Sequence, residues 1–185
     1  MNNGHFTVQS QPQTLIIMGV AGSGKSTIGQ LLAAELGFLF LEGDDFHSAE
    51  AKAMMASGIP LRSDLRQTWV DRLATTLAAH AAAGESCVLS YSGLIASQRQ
   101  QLRQAGANTR FIYLQGSAEI LAARMASRSG HYMPASLLQS QLDSMQSSKT
   151  EVDVQPFSID QQPATLLQQI LHWLTPSARE ERLAM

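Results

Sequence analysis

The sequence predicts an α/β domain with a parallel, five-stranded sheet. Three observations carry that prediction. Short apolar runs alternate with longer stretches of helical periodicity. The first run, Leu15-Ile16-Ile17-Met18, is apolar throughout, as a strand buried on both faces of a parallel sheet must be. A glycine-rich turn sits between the first such run and the first helix.

The elements follow in chain order. Residues 1–13 are polar and read as a flexible leader with no signal-peptide character. Leu15-Ile16-Ile17-Met18, stopped by Gly19, is the first strand. Ile28, Leu31, Leu32 and Leu36 recur at helical spacing, and Gly37 supplies a left-handed C-terminus. Phe38–Leu41 forms a second strand, ending at Glu42-Gly43-Asp44-Asp45. A short helix spans 49–56, closed by Gly58 and Pro60. Ser63 is the expected N-cap of a long helix reaching Ala83. Strands at 87–89, 110–114 and 155–159 alternate with helices at 97–104, 118–128, 135–145 and 163–174. The polar stretch 146–154 reads as a surface loop, and the residues after 175 as a mobile tail. There is no internal repeat and no shift of composition, so residues 14–175 form one domain.

Composition excludes several functions. The chain has 185 residues, 44% apolar and 15% charged, with a formal charge of −2. A general nucleic-acid binder needs a basic face, so none is expected. The single cysteine rules out an internal disulfide. No apolar run is long enough to span a bilayer. No membrane partner is expected, and the cytoplasm is the expected location.

Gly19-Val20-Ala21-Gly22-Ser23-Gly24-Lys25-Ser26 fits the P-loop pattern G-x-x-x-x-G-K-[ST] in full, between a strand and a helix. Glycines let successive backbone N–H groups turn toward a phosphate. The helix that follows, through Thr27, presents its positive end to the same anion. Lys25 reaches the β- and γ-phosphates of ATP, and Ser26 offers a hydroxyl to Mg²⁺. No Asn-Lys-x-Asp segment is present, which argues against a GTPase and for a small kinase.

Asp44 stands at the carboxyl end of the second strand, where open parallel sheets bind ligands. It is placed to orient an acceptor hydroxyl or to hold water on Mg²⁺. His47 is a candidate for substrate contact. Arg124 and Arg128 share a helix face and lead into Ser129-Gly130-His131, which suits a lid over 124–145. Arg66, Arg99 and Arg103 are candidate cations for an acidic acceptor. Trp69 and Trp173 read as core.

These residues resemble the small bacterial gluconate kinases of the P-loop gluconokinase family. The match runs from about Leu15 to Trp173. Gly43-Asp44-Asp45-Phe46-His47 and Gly130-His131-Tyr132-Met133-Pro134 are its specific segments. The resemblance implies a nucleoside-monophosphate-kinase-like three-layer fold and ATP-dependent phosphorylation of a sugar acid. Gln161 at the adenine end, His131 at the substrate and a homodimer are also implied. Departures gather on the acceptor side. Ser48, Ala51, Met54 and Thr68 replace the family's proline, asparagine, lysine and proline. Ser63 and Leu65 stand where carboxylates are frequent. Tyr91-Ser92-Gly93-Leu94-Ile95 lacks the lysine of Cys-Ser-x-Leu-Lys. The resemblance makes gluconate the lead acceptor, and the departures point to alternatives. Another polyol or shikimate-like acid, or a nucleotide-binding regulator with little catalysis, are the alternatives.

Overall fold

The computed structural model describes residues 11–126 and 135–175. Arg128 and His131, most of the expected leader and the expected tail lie outside the described residues. Five parallel strands form one sheet in the order β2-β3-β1-β4-β5. They are β1 (Thr14–Met18), β2 (Leu39–Glu42), β3 (Cys87–Tyr91), β4 (Arg110–Gln115) and β5 (Val154–Ser158). The helices are α1 (Lys25–Leu36), α2 (Ala49–Ala56), α3 (Ser63–Ala82), α4 (Ala96–Ala105), α5 (Ala118–Ala126), α6 (Ala135–Ser144) and α7 (Pro163–Leu174).

β1 lies at the centre of the sheet, and alternation along it builds two cores. Leu15 and Ile17 point into one, with Ile28 and Leu32 of α1 and Leu166 and Ile170 of α7. Ile16 and Met18 point into the other, with Val70, Leu73 and Leu77 of α3 and Leu102 of α4. Helices on both faces of a parallel sheet make the predicted three layers. All of β1 and β3 is buried, which is why Leu15–Met18 and Cys87–Leu89 within them read as unbroken apolar runs.

Several boundaries differ from expectation, each for a local reason. Pro12 and Gln13 are held rather than loose: Asn108 donates to the Pro12 carbonyl, and Gln13 N–H donates to Ser86 Oγ at 3.1 Å. Arg62, not Ser63, is the N-cap of α3, and its side chain pairs with Glu50 and Asp64. β5 begins one residue early, because Phe111 of β4 is paired with Val154. Its Pro156 is tolerated because β5 is an edge strand. Gly37 caps α1 with φ of 66°, as predicted.

β1 and β3 are neighbours, and the chain exits both at the same end of the sheet. Gly19 N–H donates to the Ser92 carbonyl at 3.1 Å, tying the two exits together. β2 lies beyond β3 and β4 on the other side of β1. The ends of these central strands therefore form the crevice in which ligands of such sheets bind.

Candidate active site

A cleft of about 760 Å³ opens there. One wall is the P-loop and the start of α1. Another is the turn after β2 with α2 and the start of α3. The third is the end of α5 with α6.

The P-loop is held from above and below. Gly22 has φ of 80°, and a Cβ at this position would come within 2.9 Å of Met125 Cγ in α5. Only glycine fits both the angle and the contact. Lys25 Nζ donates to the Val20 carbonyl at 3.1 Å. Ala21, Gly22, Gly24, Lys25 and Ser26 line the cleft. Gly19 is engaged with β3, Ser23 is buried, and Thr27 faces solvent in the first turn of α1. These three shape the loop rather than line the cleft. Arg124 lies beside the loop. Its Nη1 is 3.9 Å from where a Gly24 Cβ would sit, and its Nη2 donates to the Ile159 carbonyl at 2.6 Å.

Asp44 and Asp45 belong to a single 3₁₀ turn, Gly43–Phe46, that ends β2. Gly43 fixes where this turn sits. A Cβ there would be 2.1 Å from the Ser90 carbonyl of β3, so no side chain is possible. The Gly43 carbonyl accepts a hydrogen bond from Trp69 Nε1 at 2.7 Å. The neighbouring Glu42 carboxylate accepts from the Ser90 hydroxyl. β3 and α3 thus anchor the turn, while the Asp44 side chain is 79% exposed toward the cleft.

His47 follows, packed flat on Trp69 with ring centroids 4.1 Å apart. Its Nε2 lies 3.8 Å from Asp44 Oδ1, and its Nδ1 is buried without a hydrogen-bond partner. Burial holds the imidazole below its ordinary pKa of 6.5. The Asp44 carboxylate opposes that fall and the Lys52 ammonium adds to it. The ring is therefore neutral at neutral pH. Trp69 is core, as predicted, and it is also part of the cleft wall. Arg66 lines the same wall, with Nη2 3.4 Å from the Leu61 carbonyl.

Arg99 and Arg103 do not reach the cleft, contrary to their expected substrate role. Arg99 is fully buried, and donates to the Gly93 and Ser147 carbonyls and to the Glu151 carboxylate. Arg103 pairs with Glu151 and Asp153 and lies over the Phe111 ring at 4.9 Å. Their shared helix face meets the polar 146–154 segment, whose acids consume both charges. Burial raises the pKa of Glu151, but the hydrogen bonds from Arg99 and Arg103 outweigh it and hold the group below 4.5. Gln161 is half-buried outside the cleft, donating to the Ser158 carbonyl at 2.7 Å and pairing with Gln169.

Gln141 and Lys52 are among the cleft residues outside the expected set. Gln141 of α6 accepts from Ala21 N–H at 2.7 Å, joining α6 to the P-loop across 120 positions. Lys52 of α2 projects into the cleft on the same side as Arg66. Nothing local marks Gln141. Lys52 has a local signal, because Lys52, Met55 and Ala56 share one face of α2.

The chain is similar to known proteins over most of its length. The family model described as AAA domain matches residues 15–152. The gluconokinase of Arabidopsis thaliana is 36% identical over 178 residues, covering 89% of this chain and 94% of that protein. The thermosensitive gluconokinase of Escherichia coli (strain K12) is 35% identical over 158 residues, covering 85% and 84%. The crystal structure of a gluconokinase from Sinorhizobium meliloti 1021 superposes with a TM-score of 0.82 at 36% identity, covering 94% and 98%. Likeness of this depth to plant and bacterial gluconokinases alike, over nearly the whole described fold, means that the chain belongs to the gluconokinase family.

Proposed function

We propose that the protein transfers the γ-phosphoryl group of ATP to a hydroxyl of D-gluconate, giving 6-phosphogluconate. The observation that carries this is the meeting of the P-loop and the Asp44 carboxylate across one cleft. A P-loop supplies the phosphate cradle, and a carboxylate opposite it supplies the proton acceptor that an alcohol needs. Membership of the gluconokinase family supports the choice of sugar acid.

In this mechanism Lys25 and the P-loop amides hold the ATP phosphates at the N-terminus of α1. Asp44 orients the acceptor hydroxyl and takes its proton. The hydroxyl oxygen bonds to the γ-phosphorus as the bond to the ADP oxygen breaks. Arg124, with Arg128 from the lid segment, neutralises charge that develops on the transferred group. His47, Arg66 and His131 contact the acceptor, and Gln161 lies toward the adenine end. Ser26 and Asp44 are oxygen donors on one cleft, which suits Mg²⁺ held mainly by phosphates and water. When bound, that ion screens phosphate charge. A cytoplasmic homodimer of 20.0 kDa subunits completes the proposal.

The test is ADP release from Mg·ATP with and without D-gluconate. Gluconate-dependent turnover is expected. Asp44→Ala should lower kcat by about 10²–10⁴-fold, and Lys25→Ala should be inactive. Turnover that ignores gluconate, or that survives Asp44→Ala intact, overturns the proposal. Sedimentation of the wild type checks the dimer.

A further inference from the structure

We propose that Lys52 is the cation that seats the acceptor's carboxylate, and so sets the preference for a sugar acid over a neutral polyol. The proposal deepens the gluconate assignment above and rests on it.

The rotation of α2 is fixed at its start. Ser48 Oγ accepts from Ala51 N–H at 3.1 Å, capping the helix, and Ala51 is buried against the fold. Lys52 is the next residue round the helix, and with Met55 and Ala56 it forms the face that lines the cleft. Met54 is not on that face. The Lys52 ammonium is 3.5 Å from the carbonyl of Asp45, so it hangs over the same turn that presents Asp44. Its charge is also felt at the buried His47 ring.

The acids around Lys52 leave it available. Glu50, two residues away, pairs with Arg62 at 3.1 Å, and Asp64 pairs with Arg62 as well. Asp44 and Asp45 line the same cleft, and neither forms an ion pair with Lys52. Among the described residues no carboxylate forms an ion pair with Lys52 or with Arg66. His47 is neutral and brings no charge of its own. The cleft therefore presents Lys52 and Arg66 beside Asp44 and Asp45, with neither cation held in an ion pair among the described residues. An acceptor with a hydroxyl at one end and an anion at the other matches that polarity. A flexible ammonium at the cleft edge suits a carboxylate that enters from solvent.

The test is steady-state kinetics on the full chain at saturating Mg·ATP, with D-gluconate and with D-sorbitol. Wild type, Lys52→Met and Lys52→Arg are compared. Lys52→Met should raise KM for gluconate roughly tenfold to a hundredfold, the loss of one charge-assisted bond. KM for ATP and the melting temperature should hold, because Lys52 is exposed. Its gluconate-over-sorbitol ratio of kcat/KM should shrink by the same factor, and Lys52→Arg should recover most of it. A Lys52→Met enzyme whose gluconate KM stays within about twofold of wild type overturns the proposal, while the gluconate assignment stands. A wild-type enzyme that does not turn over gluconate removes that assignment, and this proposal with it.

Discussion

His47 shows how much one side chain is asked to do in this cleft. It gives up hydration to pack on Trp69, and it stays neutral as a result. Its folded pKa lies below 6.5, so the unfolded chain takes up the proton first as pH falls. The stability tied to this group is complete above about pH 6.5 and is lost as pH drops through that value toward the folded pKa. Melting curves between roughly pH 7.5 and 5.5 should fall more steeply for wild type than for His47→Gln. Equal slopes would mean that the buried ring carries no such linkage. The same residue was legible in the sequence only as a candidate contact. Its neighbour in sequence, Asp44, could be placed at a strand end. The stacking partner Trp69 comes from a helix 22 positions on, and no local pattern announces it.

At the scale of elements, the sequence was most informative where one segment decides the outcome. The β1 run, the P-loop and the Gly37 cap are each encoded within a few residues, and each stands as expected. Arg99 and Arg103 are the instructive failure. Helical spacing showed that they share a face, but not what the face meets. The answer lies about fifty residues downstream, in the segment that precedes β5. There Glu151 and Asp153 turn two expected ligand groups into a brace between α4 and the edge strand. Arg99→Met would leave Glu151 less compensated in a partly buried site. Breaking such a pair costs about 3 kcal/mol, which should lower the melting temperature by about 6–12 °C. Differential scanning calorimetry checks this, and KM for gluconate should stay unchanged. A rise in that KM without a loss of stability would restore Arg99 to the acceptor site.

For the whole molecule, the fold class and layer order were readable because a parallel sheet needs apolar strands and covering helices. The strand order β2-β3-β1-β4-β5 was not predicted, since it depends on which strands pair across the chain. That order brings the P-loop, the Gly43–Phe46 turn and the α5–α6 wall together. A nucleotide bound between them should stabilise the entire domain. At a hundredfold excess over Kd the gain is about 2.7 kcal/mol, or about 5–10 °C in melting temperature. Thermal denaturation with Mg·ATP should show that shift in wild type and lose most of it in Lys25→Ala. An equal shift in both would place nucleotide affinity outside the P-loop.

The anchoring of Gly43 has an evolutionary consequence. The turn that presents Asp44, the proposed proton acceptor, is bolted to two interior elements, by a hydrogen bond from Trp69 and a contact with Ser90 that admits no side chain. The cleft face of α2 is a two-turn surface helix that carries its own cap and sends one small residue inward. Mutations can drift through that face at little cost to folding, while the turn beside it tolerates almost none. Descendants of this fold can thus change what they phosphorylate by rewriting α2 and still inherit the means of phosphorylation intact.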